Sequence, residues 1–352
     1  MDTLIASPSR PSVTLVVPNY NHAHYLPESL GSIAAQTHAP DRVLIIDDAS
    51  TDESIAVISR FIADRPGWEL ARHDKNKGVV PGQNEAIHAT ETDWIGFLGA
   101  DDALHPTYLE RTLQAAASFP DAGLICACTE IIGTSETRAL RPMLLPERRS
   151  AFLKPDDVRG ILHKGDNYFS GTVSLYRRSA LTALGGFNEK LGSFSDAFLA
   201  RQLALTFGVF FIAEILGYWR IHGENYSVTT TTDAGTLSEK LAQIRALIAQ
   251  SELFPPGYAD LFERRTRFGA ARIVISADAT DSAKADRAAA LLGFGTAERW
   301  WLGLLLSFGG FGRMAALAWA TLRTRPMSFA RLLGQIPQRQ AIIAARAAYR
   351  PA

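Results

Sequence analysis

The chain has 352 residues, with 36 Lys plus Arg against 36 Asp plus Glu and a formal charge of zero. At 47% hydrophobic and 20% charged residues it can bury a full core, which excludes intrinsic disorder as a global description. A zero balance argues against a nucleic-acid binder, and the length suggests roughly two domains at about 150 residues each.

Met1 to Pro11 shows no apolar run behind a basic start, so no secretory signal is expected and residues 1–12 read as a flexible N-terminus. From Val13 short β-branched runs alternate with helical patterns. Strands are expected at Val13–Val17, Arg42–Ile46, Glu69–Arg72 and Trp94–Leu98, with helices at Tyr25–Gln36, Asp52–Asp64 and Gln83–Thr90 between them. That alternation implies βαβ units and a mostly parallel sheet in an α/β fold. Ligands of such sheets sit beyond the carboxyl ends of the strands. Three strands end there in polar clusters: Pro18-Asn19-Tyr20-Asn21, Asp47-Asp48-Ala49-Ser50 and Gly99-Ala100-Asp101-Asp102. Cys126 and Cys128, the two cysteines, provide no disulfide framework and read as buried residues on one strand face in a reducing compartment.

Beyond Thr229-Thr230-Thr231-Thr232 the β pattern disappears, so a domain over 13–232 and a mainly helical region over 233–352 are expected. Helical runs are expected at Leu237–Gln250, Tyr258–Ile275, Ala283–Leu292 and Ala297–Leu322. Trp301 to Ala320 carries one charge, Arg313, and is long enough to raise the transmembrane question. Arginine at a bilayer centre costs about 2.5 to 3.5 kcal/mol, and Gly309-Gly310-Phe311-Gly312 would interrupt the span, so two short helices fit better. Residues 297–352 hold eight Arg, no Lys and one acid, Glu298, a net +7 that leaves −7 on the remainder. The apolar, basic segment 297–325 is therefore expected to meet an anionic membrane surface peripherally, with a solvated basic helix face as the plainer alternative.

Ser50 and Glu53 fit a capping box that explains the start of the second helix, but they leave the adjacent acids Asp47 and Asp48 unexplained. Two carboxylates at a strand end repel unless ligand donors or a cation face them. Asp101 and Asp102 repeat the arrangement and suggest a hard cation, since Mg2+ and Mn2+ commonly take one or two carboxylates plus phosphate oxygens. Neither a P-loop nor a Gly-x-Gly-x-x-Gly turn is present.

With these elements in order, followed by Asn76-Lys77-Gly78, Gln83-Asn84 and Leu184-Gly185-Gly186-Phe187, the chain resembles family 2 glycosyltransferases of the GT-A fold from about Val13 to Ser227. The resemblance implies an inverting enzyme that uses nucleotide-diphospho-sugars. The basic, Trp-containing tail, expected to hold it at the cytoplasmic face of the membrane, points to a saccharide or lipid-linked saccharide acceptor in cell-surface polysaccharide synthesis. Carried over by position, Pro18 and Tyr20 border the base, Asp47 and Asp48 contact base and ribose, and Lys77, Asn84, Asp101 and Asp102 complete the donor site. Asp101 is the expected ligand of a divalent metal, Mn2+ or Mg2+, and His222 reads as a second ligand, as a diphosphate contact or as a structural histidine. The family's Asp-x-Asp falls on Gly99-Ala100-Asp101, so its first acid is missing. The acidic pair that carries the catalytic base falls on Ser195-Asp196, which leaves Asp196 as the base or, alternatively, as a helix cap. Arg220 reads as a diphosphate neutraliser or as packing on Trp219. The two departures also motivate a second reading, a sugar-nucleotide-binding or scaffold protein without turnover.

Overall fold

The computed structural model describes residues 10–133, 139–140, 145–165, 169–223, 225–277, 283–327 and 334–345; most of the N-terminal segment expected to be flexible lies outside them. The chain divides into two compact units, 1–161 with 166–221 and 336–352, and 162–165 with 222–335. This division falls before His222 and returns the helix Ile336–Ala344 to the first unit.

The first unit is built on β1 (Val13–Asn19), β2 (Arg42–Asp47), β3 (Trp68–Arg72) and β4 (Trp94–Phe97), linked by α1 (Leu26–Ala34), α2 (Ser54–Ile62) and α3 (Val79–Ala89). Strands β1 and β4 are buried almost throughout, as expected of parallel strands covered on both faces. Val13, Leu15 and Val17 of β1 share one core with Leu26 and Leu30 of α1 and Val43 and Ile45 of β2.

The chain continues through β5 (Ala103–Leu104), α4 (Tyr108–Ser118), β6 (Leu124–Gly133), β7 (Ala139–Leu140) and β8 (Ala151–Leu153). Then follow α5 (Pro155–Lys164), β9 (Ser174–Arg177), α6 (Arg178–Ala183), α7 (Ser195–Phe207) and β10 (Val209–Ile221). The sheet order is β3-β2-β1-β4-β9-β6-β10-β5. Its first four strands are parallel, β9 runs antiparallel to both neighbours, and β5 is antiparallel to β10, so the sheet is mixed. Order 3-2-1-4 reverses direction between β1 and β4, and in sheets of this kind ligands sit at that switch point beyond the carboxyl ends of the strands. Cys126 and Cys128 are free and fully buried on β6.

The second unit is helical: α8 (Tyr226–Thr232), α9 (Ala234–Ala249), α10 (Tyr258–Ser276), α11 (Lys284–Leu292), α12 (Thr296–Leu306) and α13 (Gly309–Thr324). The threonine run at the expected boundary lies within α8. Hydroxyls of Thr229, Thr230 and Thr232 donate to carbonyls four residues earlier, which satisfies them within a helix. The break is one residue, Asp233, whose carboxylate caps α9 by accepting the Thr236 N–H at 2.7 Å. The long apolar run is divided at Ser307 and Phe308, and no helix among the described residues is long and apolar enough to cross a membrane.

Candidate active site

Beyond β1 and β2 the two strand ends are tied into one loop pair. Asp47 is fully buried. Its Oδ2 accepts from Asn19 Nδ2 at 2.8 Å and its Oδ1 from the Ser50 N–H at 3.0 Å. Ser50 Oγ accepts from the Asn21 N–H at 2.9 Å, while Asn21 Oδ1 accepts from the Thr51 N–H at 2.8 Å. These bonds hold Asn21 and Ala49 at φ 56° and 63°, the left-handed region that non-glycine residues enter at a cost. Ser50 is thus committed to the loop and is not the helix cap. The cap position of α2 is Glu53, with no side-chain capping bond, and Asp52 just before it accepts from the Ser54 N–H through Oδ1 at 3.0 Å. Tyr20 is 44% exposed at the tip of β1, beside half-buried Pro18.

Asp48, the neighbouring acid, organises a different loop. Its Oδ1 meets His73 Nδ1 at 2.7 Å and accepts the Lys77 N–H at 2.9 Å, and its Oδ2 accepts the Gly78 N–H at 2.8 Å. His73 Nε2 and Lys77 Nζ both reach Glu85, each at 2.8 Å. Burial works to lower the His73 pKa, but hydrogen bonds to Asp48 and Glu85 outweigh it and raise the imidazole above its ordinary value. Sequence reasoning passed over His73 and Glu85. The available signal was position, because His73 follows β3 as Asp48 follows β2. Asn84 clamps α3 to the Gly185-Gly186-Phe187 turn, donating to the Phe187 carbonyl at 2.9 Å and accepting its N–H at 2.8 Å. Both ends of that amide are spent on backbone.

Asp101 and Asp102, the acids after β4, separate in role. Asp102 is buried, accepting Thr172 Oγ1 at 2.7 Å and the Arg220 N–H at 2.9 Å. Burial, then the charge of Asp101, push its carboxyl well above the usual range. Asp101 is half-buried, and its carboxylate leans over Gly99: a β-carbon built at Gly99 would lie 2.8 Å from Asp101 Oδ1. Arg220 locks the turn from β10, donating through Nε to the Asp101 carbonyl at 2.8 Å, ion-pairing with Glu28 through Nη2, and stacking 5.0 Å over Tyr25.

Asp196 opens α7 and its Oδ1 accepts the Ala197 N–H at 2.6 Å. Its Oδ2 faces Gly171, where a β-carbon would approach to 2.8 Å. Gly171 and Thr172 are adjacent in a single turn of 3₁₀-helix, Gly171–Val173. One turn therefore backs Asp196 with its first residue and holds Asp102 with its second. Sequence reasoning missed this turn, which carries no acid or motif of its own. Buried Asn19 Oδ1 and Ser195 Oγ have no hydrogen-bond partner, the kind of orphaned polar atom that a ligand or solvent satisfies. His222 opens the second unit, its N–H donating to Asn225 Oδ1 at 2.6 Å.

No group of three metal-ligating side chains occurs among the described residues. With Asp102 committed to Thr172 and Arg220, the donor set at β4 is the single Asp101 carboxylate. One carboxylate fits Mg2+ or Mn2+ only when substrate phosphate oxygens complete the shell.

Known proteins share this architecture. A family model for Glycosyl transferase family 2 matches residues 14–185. An uncharacterized glycosyltransferase of Nostoc sp. is 27% identical over 69% of this chain and 74% of its own length. The O-antigen biosynthesis protein RfbC of Myxococcus xanthus is 27% identical over 68% of this chain, which spans only 18% of that longer protein. Among solved structures, S. aureus TarS 1-349 in complex with UDP superposes with a TM-score of 0.56 at 16% identity, over 94% of this chain and 87% of that one. A mannosyltransferase from Pyrobaculum calidifontis in complex with GDP-Man and Mn2+ superposes with a TM-score of 0.54 at 18% identity, over 96% and 86%. At those identities the likeness shows the fold.

Proposed function

Residues 14–185 belong to glycosyl transferase family 2 and the chain is a glycosyltransferase of the GT-A fold; on that premise we propose that it is an inverting enzyme using a nucleotide-diphospho-sugar donor. The acceptor is a hydroxyl of a saccharide or lipid-linked saccharide in cell-surface polysaccharide assembly, and the enzyme works on the cytoplasmic side as a peripheral membrane protein. The observation that carries the reading is the Gly171-Thr172 turn, which ties a carboxylate at the start of α7 to the acids beyond β4.

In this reading Tyr20 borders the base at the tip of β1, and the loop pair ordered by Asp47 and Asp48 presents backbone and Lys77 to the nucleotide. The Asp196 carboxylate accepts the proton of the acceptor hydroxyl as its oxygen attacks the anomeric carbon. The bond from that carbon to the diphosphate oxygen breaks on the opposite face, and the nucleoside diphosphate leaves with the electron pair. Asp101 would hold the divalent metal, Mn2+ or Mg2+, with His222 offered as a second ligand by its sequence position. When bound, such an ion neutralises charge on the leaving diphosphate. Arg220, occupied with Glu28 and the Asp101 carbonyl, serves to fix the Asp101 turn.

Nucleoside diphosphate release, measured with a panel of donors, Mn2+ and acceptor extracts, tests the reading. Asp196→Asn is expected to lower kcat by about 10² to 10⁴-fold with donor affinity retained. Gly99 and Ser195 favour one competing reading, a sugar-nucleotide-binding protein without turnover. Donor binding with no transfer to any extract, unaffected by Asp196→Asn, would establish that competitor.

A further inference from the structure

Helices α12 and α13 expose an apolar surface that the fold of their unit leaves uncovered. On α13 the face against the protein is made of small residues, with Gly312, Ala316 and Ala320 buried at helical spacing. The large side chains point the other way: Phe311, Met314 and Leu322 are 77%, 69% and 68% exposed. A helix on a water-soluble protein shows the reverse arrangement. Trp300 on α12 and Phe308, between the two helices, are also 67% and 64% exposed. Scattered exposed apolar residues need no explanation, but large apolar side chains concentrated on two successive helices mark an interaction surface.

Charge identifies the occupant. No acid occurs from Trp300 to Arg325, and this stretch and its flank carry Arg299, Arg313, Arg323 and Arg325. Arg323 pairs with Glu298 at 2.7 Å and Arg299 with Asp286 at 3.4 Å, so four arginines exceed the two acids that meet them. A second copy seated on this patch by two-fold symmetry would bring like charge against like. A bilayer carrying anionic headgroups accepts both components, apolar side chains below the headgroup level and guanidinium groups at it. Tryptophan is the side chain that favours this boundary.

We propose that the α12–α13 corner is a docking surface for an anionic lipid bilayer, with Trp300, Phe308, Phe311 and Met314 entering the headgroup boundary and the surrounding arginines meeting lipid phosphates. It deepens the peripheral placement given above and rests on that reading for location alone, since sedimentation with vesicles needs no turnover. Loss of transfer and loss of docking are therefore separate results.

The full chain is sedimented with phosphatidylcholine vesicles with and without phosphatidylserine, at low and high salt. Binding is expected to require phosphatidylserine and to weaken with salt. Trp300→Ser combined with Phe311→Ser is expected to weaken it by about tenfold or more. Arg313→Ser combined with Arg325→Ser removes the preference for phosphatidylserine. All four side chains are at least partly exposed, and far-UV circular dichroism checks that each variant folds. Undiminished binding by the Trp300→Ser, Phe311→Ser protein overturns the proposal. So does a full chain that ignores both vesicles and forms a dimer abolished by the same two substitutions.

Discussion

Gly171 approaches Asp196 so closely that a β-carbon at 171 would stand 2.8 Å from Asp196 Oδ2. Gly171 lies outside the positive-φ set, so alanine suits its backbone and the conflict falls on the carboxylate alone. Gly171→Ala is expected to keep the fold while pushing Asp196 aside by a fraction of an ångström or more. Misplacement of a catalytic group on that scale costs up to about 10²-fold in rate. The expected result is a kcat lowered by about 10 to 10²-fold, with donor KM and thermal midpoint close to the wild-type values. A silent Gly171→Ala, measured by nucleoside diphosphate release, would remove Asp196 from the role of base.

Gly99 stands where the family resemblance places an acid, and restoring that acid is expected to harm this enzyme. A β-carbon at 99 would meet Asp101 Oδ1 at 2.8 Å and Asp102 Oδ2 at 3.2 Å, and a third carboxyl there crowds the two existing ones with like charge. Gly99→Asp should displace Asp101 and raise the Mn2+ concentration needed for half-maximal activity by about tenfold, roughly 1.4 kcal/mol. Gly99→Ala should move the metal requirement in the same direction through its β-carbon alone. A metal titration of both variants checks the order.

The strand ends and the acids on them were legible because buried parallel strands read as short β-branched runs, and a polar cluster ends each one. What each acid does was not legible, since its partners come from elsewhere in the chain. Asp47 is consumed by Asn19 and Ser50, whereas Asp48 accepts the Lys77 and Gly78 amides about 30 residues on. Ser50 illustrates the same limit, because its spacing to Glu53 matches a cap locally while the Asn21 amide claims it across the loop pair. The division of the apolar tail at Ser307 and Phe308 was foreshadowed by Gly309-Gly310, a local signal. The rest of the sheet had none, because β9 and β10 pair with strands placed by the crossovers before them.

Asp102 and Thr172 give a test that separates the two acids beyond β4. Asp102→Asn keeps an acceptor for the Arg220 N–H and can donate to the Thr172 hydroxyl, so both bonds survive with one reversed. Its stability should stay within about 1 kcal/mol of wild type, since a buried carboxyl already disfavoured as an anion is replaced by a neutral group. Asp102→Ala strands both partners and is expected to cost about 1 to 3 kcal/mol. Asp101→Asn, by contrast, should abolish activation by metal. Urea unfolding of the three variants, paired with Mn2+-dependent turnover, distinguishes a structural carboxyl from a metal-holding one.

His73 bridges Asp48 and Glu85, with Lys77 on the far side of Glu85, and these are the charged groups that face it. Its pKa is raised in the folded protein above the ordinary 6.5. The bridge therefore contributes stability that is fully present below about pH 6.5 and is lost as pH rises through the folded-state value. His73→Gln supplies a neutral side-chain amide in place of the imidazole and cannot become cationic. Relative to wild type it should be less stable by about 1 kcal/mol on the acidic side of this window, discounted because Glu85 is half exposed, and the difference should shrink as pH rises. Because Asp48 also holds the Lys77-Gly78 backbone, the same substitution is expected to raise donor KM more than it lowers kcat. Chemical denaturation across pH and donor titrations at two pH values measure the two effects, and a stability difference that grows with pH would refute the assignment.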